Sequence, residues 1–213
     1  MIKLDFDLPV GKMKPMHAVN NPPTVPYSVA NYAGVDLYGK LQEAGIPYSR
    51  LHDTGGPFGQ GRYVDIANVF PDFDADPFDP DSYDFAFTDR LISELINYGM
   101  KPFYRLGATI ENNHSIKAYN IYPPKDNLKW AMICEGIIRH YNEGWANGFN
   151  YNIEYWEIWN EPDNEPEISE NPMWKGTKEQ YFELYKTAAS YLKQRFPNIK
   201  IGGYSGCGFY ALS

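Results

Sequence analysis

The chain contains little cysteine, no long hydrophobic run and no cluster of basic residues. Only two of its 213 residues are cysteines, Cys134 and Cys207. They are too few for a disulfide framework, and we expect both to be buried thiols. No apolar stretch approaches the ~18 residues of a membrane-spanning helix. Since 27 Asp and Glu outnumber 19 Lys and Arg, we expect neither nucleic acid nor an anionic membrane surface as a partner.

The first ten residues also lack the apolar core of a secretory signal. Lys3, Asp5 and Asp7 interrupt this stretch, so the sequence predicts either a cytoplasmic protein or a mature chain whose signal has been removed. The composition itself is that of a globular protein. With 43% hydrophobic residues, the chain can bury a substantial core.

Strand-like and helix-like segments alternate along the chain. Five segments rich in β-branched and aromatic residues are predicted as strands: 12–19, 46–52, 101–106, 153–159 and a segment that begins at 200. Four helices are predicted between them: 37–44, 84–98, 130–141 and 177–195, the last opening with the capping box Thr177 to Gln180. The segment 63–70 is predicted to be extended.

The loops are long after strands and short after helices. This asymmetry is typical of a (β/α) barrel, whose active face is built from the loops that follow the strands. A doubly wound parallel sheet is the competing topology. Both architectures place chemistry at the carboxyl ends of their strands, so polar residues at those ends are the candidates for a functional site.

A carboxylic acid stands at the end of the fourth predicted strand. The stretch 155–159, Tyr-Trp-Glu-Ile-Trp, is predicted to be a buried strand. It ends at once in Asn160-Glu161-Pro162, where proline removes a donor from the ladder. Glu157 and Glu154 are alternatives to Glu161 as the chemical carboxylate. The position at the strand exit favours Glu161.

The order Trp159-Asn160-Glu161-Pro162 resembles the end of the fourth strand in the clan A glycoside hydrolases. The flanking segments resemble family 39, the family of β-xylosidases and α-L-iduronidases. This resemblance implies an α/β fold of the (β/α)₈ barrel type and favours it over the doubly wound sheet. The stretch 1–213 would then be a single N-terminal portion of a catalytic domain, with about the first five of eight strands present.

The resemblance also implies roles for particular residues. Glu161 would be the general acid/base, and Asn160 would hold the 2-hydroxyl group of the sugar. Arg50 and His52 share a face at the end of the second predicted strand. By resemblance, Arg50 would keep the nucleophile ionised and His52 would line the sugar site. An exposed arginine and a hydrogen-bonded histidine are the plainer alternative.

The catalytic nucleophile has no counterpart in the sequence. In clan A it is a second glutamate at the end of the seventh strand, so we expect it outside this chain and expect the fragment alone to be inactive. His114 and Trp174 lie in predicted strand-to-helix loops and are further candidates for binding the sugar, although for each of them alone a packing role is the favoured interpretation. The four histidines lack the spacing of a metal site, so we predict no catalytic metal and no cofactor.

These observations predict a retaining glycoside hydrolase that acts on xylosides or related sugars. The alternative is a non-catalytic carbohydrate-binding or scaffold protein built on a truncated barrel. In either case a carbohydrate is the expected partner. A partial barrel also exposes sheet edges and apolar surface, so self-association or pairing with the missing barrel half is expected.

Overall fold

The computed structural model describes residues 7–8, 11, 15, 17–23, 37–52, 64–109, 121–203 and 205–208. The strands in these ranges are β1 (Tyr48–Arg50), β2 (Lys101–Leu106), β3 (Tyr155–Ile158) and β4 (Lys200–Gly203). The helices are α1 (Leu37–Glu43), α2 (Ile66–Val69), α3 (Ala86–Asn97), α4 (Asn127–Glu143) and α5 (Lys178–Arg195). Short 3₁₀ turns lie at Pro80–Ser82 and Trp145–Asn147. None of the helices in these ranges is long and apolar enough to cross a bilayer.

The four strands form one parallel sheet in the order β1-β2-β3-β4. The register pairs Arg50 with Phe103, Leu106 with Ile158, and Ile158 with Gly203, so the carboxyl ends of the strands lie side by side. Each strand is therefore the neighbour of the next in sequence. A barrel has this order, whereas a doubly wound sheet reverses direction at a switch point. The sheet is thus the expected part of a (β/α) barrel.

The sheet accounts for four of the five predicted strands. The predicted second to fifth strands are confirmed as β1 to β4. For the first, Val19 forms a parallel bridge with Ser49 of β1, on the edge of β1 that β2 does not occupy. Within the predicted segment 12–19, positions 12–14 and 16 lie outside the described residues.

Helices α3, α4 and α5 bury apolar stripes in a common core with the strands. The stripes recur at the i, i+3, i+4 spacing that predicts these helices: Leu91, Ile92 and Leu95 in α3, Ile133, Cys134, Ile137 and Ile138 in α4, and Leu184, Ala188 and Leu192 in α5. The capping box of α5 is present, with Thr177 and Gln180 bonded in both directions. Helix α4 ends at Gly144, whose φ of 69° favours glycine.

Two expectations from the sequence were wrong. Within the predicted extended segment 63–70, the structure forms helix α2, because Ile66 and Val69 sit three residues apart and both turn into the core. A local preference for extended backbone is overridden by this packing. Cys134 is buried as expected, but Cys207 is exposed because it lies in the segment 205–208 that follows β4.

Candidate active site

An arginine at the end of β1 connects two strand ends. The side chain of Arg50 donates from Nε to Glu157 Oε2 at 2.8 Å and from Nη2 to Asn160 Oδ1 at 2.8 Å. Its Nη1 donates to Asn20 Oδ1 at 3.0 Å. Since Glu157 belongs to β3 and Asn160 follows it, this one guanidinium group fixes the end of β3 relative to β1. Charge-assisted hydrogen bonds of this kind are among the stronger contacts in a protein.

Glu157 is engaged by structural partners. Its side chain lies almost buried within the sheet, and it accepts hydrogen bonds from Arg50 Nε on one oxygen and from the Ser205 hydroxyl group on the other. A carboxylate with a cation and a hydroxyl donor on its two oxygens is well satisfied. Glu157 therefore orients its neighbours, and it is a weaker candidate than Glu161 for a reacting group.

The turn that follows β3 has unusual backbone angles. Trp159 and Glu161 have φ values of 73° and 43°, a left-handed conformation that costs a non-glycine residue about 1–2 kcal/mol. Hydrogen bonds from the Trp159 N–H to the Leu106 carbonyl and from the Glu161 N–H to the Ser205 carbonyl hold the turn, at 2.6 Å and 2.9 Å. Such conformations cluster at functional sites, where the surrounding structure maintains them.

The carboxyl group of Glu161 has a different partner at each oxygen. Oε2 accepts from Asn164 Nδ2 at 2.9 Å, and Oε1 lies 3.6 Å from His52 Nε2. The Glu161 side chain is 19% exposed, so it is partly desolvated and still open to a ligand. A carboxyl group in this setting can exchange a proton with a bound molecule.

Asn160 presents an unused donor in the same place. Its side chain is fully buried, and Oδ1 accepts from Arg50 while Nδ2 has no partner among the described residues. A buried amide nitrogen without a partner is rare, because its desolvation is uncompensated. A ligand hydroxyl group would supply the missing acceptor.

Trp174, a further predicted site residue, is not part of this cluster. Its residue exposure is 2%. It packs edge-on against Trp159 with ring centroids 5.0 Å apart, and its Nε1 donates to the Thr177 carbonyl at 3.0 Å. Trp174 is thus packed as a core residue, and its contact with a sugar stays a prediction. His114 lies outside the described residues.

Two residues at the site gave no signal in the sequence. Asn164 contacts the side chain of Glu161 from three residues further along the chain, and Ser205 contacts both Glu157 and the backbone of Glu161 from beyond β4. The local sequence around each is that of an ordinary polar loop. Arg105, at the end of β2, has a structural role, because its Nη2 donates to Asp65 in a fully buried pair at 2.6 Å.

A cavity of about 720 Å³ lies between the loop after β3 and helix α5. Its lining includes Asn164, Trp174 and Phe182, together with other residues from that loop and the first turns of α5. None of Arg50, His52, Asn160 and Glu161 lines it. The position of the polar side chains therefore identifies the candidate site better than this cavity does.

The cluster offers carboxyl, imidazole and amide groups. Across the described ranges, no group of three or more His, Cys, Asp or Glu side chains is arranged to hold a metal ion. The arrangement instead combines a partly exposed carboxyl group, a histidine beside it and a buried amide donor. Groups of this kind suit proton transfer to a hydroxylated ligand.

Comparison with known proteins assigns the family. The model of glycosyl hydrolases family 39 matches residues 42–212. The chain belongs to this family. The match spans all four strands of the sheet and the whole cluster around Glu161. The predicted resemblance to family 39 is thereby confirmed, and so is the barrel type of the fold.

Two curated relatives support this assignment. The chain is 32% identical to a β-xylosidase of Caldicellulosiruptor saccharolyticus over 130 residues and 26% identical to a β-xylosidase of Geobacillus stearothermophilus over 162 residues. These matches cover 57% and 70% of this chain. The chain spans only 25% and 30% of the length of those two relatives.

Two solved structures share the fold. A glucosidase from Croceicoccus marinus matches with a TM-score of 0.72 and 27% identity, over 92% of this chain and 37% of that one. A monomeric β-xylosidase from Caulobacter crescentus CB15 matches with a TM-score of 0.54 and 20% identity, over 89% of this chain and 36% of that one. At 20% identity the second match supports the fold alone.

Proposed function

We propose that the protein containing these residues is a retaining glycoside hydrolase in which Glu161 is the general acid/base. The observation that carries the proposal is the carboxyl group of Glu161 at the exit of β3, 19% exposed and 3.6 Å from His52. It stands next to Asn160 Nδ2, which has no partner among the described residues. A proton donor beside an amide donor for a hydroxyl group supplies one of the two parts that hydrolysis of a glycoside requires, the other being a nucleophilic carboxylate.

The proposed reaction begins with proton transfer from Glu161. Its carboxyl group protonates the glycosidic oxygen while the C–O bond breaks, and the sugar forms a bond with a nucleophilic carboxylate. We expect that nucleophile outside residues 1–213. Glu161, now ionised, then removes a proton from the water that releases the sugar. Asn160 Nδ2 would donate to the 2-hydroxyl group, a contact that strengthens in the transition state.

Arg50 and His52 would complete the sugar site. Arg50 holds Asn160 through Oδ1, so it points Nδ2 of the same amide toward the ligand. The His52 ring is mostly buried beside Glu161, where it would border the bound sugar. Neither residue is required to change its protonation state in this scheme.

The proposed substrate class is O-linked xylosides. The two curated relatives are named as β-xylosidases, whereas one matched structure is a glucosidase. Xylose and glucose differ by the hydroxymethyl group at C5. A direct comparison of aryl xylosides with aryl glucosides therefore tests this part of the proposal, and a higher kcat/KM for the xyloside is expected.

The decisive test is a Glu161→Gln variant of the full-length protein. We expect kcat/KM on an alkyl xyloside to fall by about 10²–10⁴-fold, the usual contribution of a general acid. Activity on a dinitrophenyl xyloside should fall less and be partly restored by added azide, because the leaving group needs no proton and azide needs no general base.

A second glutamate of the same strand region supplies the matched control. Glu154 lies at the opposite end of β3 and pairs with Lys200 at 2.6 Å, so Glu154→Gln should retain wild-type kinetics. Unchanged hydrolysis by Glu161→Gln would remove the assignment. Sugar binding by the wild-type protein without hydrolysis would instead support a carbohydrate-binding protein.

A further inference from the structure

The loop after β3 places an amide against the carboxyl group of Glu161. Asn164 Nδ2 donates to Glu161 Oε2 at 2.9 Å, and the Asn164 backbone N–H donates to the Glu161 carbonyl at 3.0 Å. The two residues are therefore joined through both backbone and side chain within a single turn. Asn164 is partly buried, so the contact is sheltered from bulk water and is stronger than it would be on an open surface.

This contact makes the two oxygens of Glu161 inequivalent. Oε2 accepts a hydrogen bond from an amide N–H, whereas Oε1 faces His52 Nε2 at 3.6 Å, a distance longer than a hydrogen bond. An N–H donor directed at Oε2 opposes a proton on that oxygen. The proton of the neutral carboxyl group is accordingly favoured on Oε1.

The Asn164 amide is itself contacted by the segment 205–208 that follows β4. Cys207 Sγ lies 3.8 Å from Asn164 Nδ2, and the Cys207 N–H donates to Asp163 Oδ1 at 3.0 Å. The Glu161 N–H also donates to the Ser205 carbonyl. The segment 205–208 thus anchors the turn that carries both Asn164 and Glu161, and this limits the rotation of the amide.

We propose that Asn164 is a positioning residue for proton transfer by Glu161. By binding Oε2 it assigns the mobile proton to Oε1, so that the glycosidic oxygen receives the proton from the side of His52. This inference rests on the proposed acid/base role of Glu161 and adds the direction of the transfer. Asn164 itself touches neither the substrate nor the transferred proton.

The hydrogen bond also favours the transfer energetically. As the Oε1–H bond breaks and a new O–H bond forms on the leaving group, the electron pair of the cleaved C–O bond remains with the leaving oxygen. Glu161 then becomes a carboxylate, and its negative charge is shared with Oε2. A donor already aimed at Oε2 stabilises that charge without reorganising.

The test measures two variants of the full-length protein on two substrates. In Asn164→Leu the donor is lost, and kcat/KM on an alkyl xyloside should fall by about tenfold, the equivalent of one charge-assisted hydrogen bond. On a dinitrophenyl xyloside, whose leaving group needs no proton, the rate of the first step should fall by less than about twofold. This difference between the substrates is the signature of impaired proton donation.

The pH profile provides the second readout. Removal of a hydrogen bond to an ionised carboxylate keeps the acid protonated to higher pH. The alkaline limb of kcat/KM in Asn164→Leu should therefore move upward by about one pH unit. In Asn164→Asp, which preserves the shape of the side chain, it should move further, because a second carboxylate faces Oε2. A purely structural role predicts the opposite order, with the isosteric Asp nearer to wild type.

Glu165→Ala is the matched control within the same loop. The Glu165 side chain is exposed, and its backbone carbonyl, which this change keeps, accepts from Asn171 Nδ2 at 3.0 Å, so the ratio of the two substrates should stay at its wild-type value. An equal loss on both substrates in Asn164→Leu, an unmoved alkaline limb, or the same pattern in Glu165→Ala would each overturn the inference. If Glu161→Gln remains fully active, the proposed function itself fails; if it is inactive and Asn164→Leu is normal, only the role of Asn164 fails.

Discussion

Two regions of the molecule bury a glutamate with one arginine and one hydroxyl group. At the strand ends, Glu157 is 7% exposed and accepts hydrogen bonds from Arg50 Nε at 2.8 Å and from the Ser205 hydroxyl group. Here the arginine continues to a further acceptor, Oδ1 of Asn160, at 2.8 Å. The pair is thus one part of a longer chain of contacts that reaches the site.

The second region lies between α4 and α5. Glu135 is 3% exposed and accepts from Arg195 Nε at 2.8 Å and from the Tyr191 hydroxyl group. The guanidinium group of Arg195 lies over the ring of Phe196, 5.4 Å from its centroid. These contacts join two helices on the outside of the sheet, remote from the strand ends.

The comparison shows that a buried ion pair does not by itself indicate a functional site. Both glutamates accept a hydrogen bond at each carboxylate oxygen. Between α4 and α5 these contacts join two helices. At the strand ends, by contrast, Asn160 Nδ2 lacks a partner among the described residues, and Trp159 and Glu161 have left-handed backbone angles. Each feature also occurs elsewhere, for example at Arg105 Nη1 and at Ala146. The site is distinguished because both features, each of which costs stability, adjoin one partly exposed carboxyl group.

Substitution of the two arginines should give the largest difference. Arg50→Met leaves Glu157 buried without its cation, and we expect a loss of about 3 kcal/mol in unfolding free energy and at least about a hundredfold in kcat/KM through misplacement of Asn160. Arg195→Met also leaves a buried glutamate without its cation, and because the Arg195 side chain is 46% exposed we expect a somewhat smaller loss of about 2 kcal/mol in unfolding free energy, with kinetics unchanged. Urea unfolding and steady-state kinetics of the full-length variants measure both effects. Equal kinetic losses would show that the two pairs have the same role.

A glycine beside the strained turn should give an intermediate effect. A Cβ atom added to Gly107 would lie 2.9 Å from the Cα of Trp159, so Gly107→Ala must displace the backbone that carries Asn160 and Glu161. We expect a loss of about 1–3 kcal/mol of unfolding free energy and reduced kcat/KM. Gly202→Ala in β4 is the control, since its Cβ would meet no atom within 4 Å. Wild-type kinetics in Gly107→Ala would contradict the importance of the turn.

The smallest effect should be a pH dependence of the stability of the helix pair in alkaline solution. Burial, together with the hydrogen bond to Glu135, raises the pKa of Tyr191 from 10.0 to about 12. The unfolded chain then loses this proton first, so the contribution to stability is complete below pH 10 and is lost as the pH rises toward 12. Tyr191→Phe should therefore lose slightly less stability than wild type across this interval. Urea unfolding at both ends of the interval measures the difference. An identical fall in unfolding free energy with pH in the two proteins would contradict the prediction.

The sequence predicted elements whose signals are local. The strand Lys101–Leu106 has the predicted bounds, and the helix that follows Thr177 begins at the predicted capping box. The position of Glu161 just past the end of a strand followed from the strand residues that precede it, and its side chain is partly exposed there. In each of these cases, residues adjacent in sequence carry the information.

The features that were missed depend on distant contacts. The helix Ile66–Val69 forms because its apolar residues reach the core, against their local preference. Ser205 takes part in the site only because the loops after β3 and β4 meet. Asn164 lies three residues from Glu161, but its side chain reaches the carboxyl group within a turn whose left-handed backbone angles the sequence does not indicate. The position of Trp174 in a loop likewise does not reveal its neighbours in the core.

The most direct test of the account is a crystal structure of the full-length protein with a non-hydrolysable, sulfur-linked xyloside. The account predicts that the 2-hydroxyl group lies within hydrogen-bonding distance of Asn160 Nδ2 and that the linking sulfur faces Oε1 of Glu161 on the side of His52. A sugar bound elsewhere, such as in the cavity between the loop after β3 and α5, with Asn160 Nδ2 still unpartnered, would contradict it.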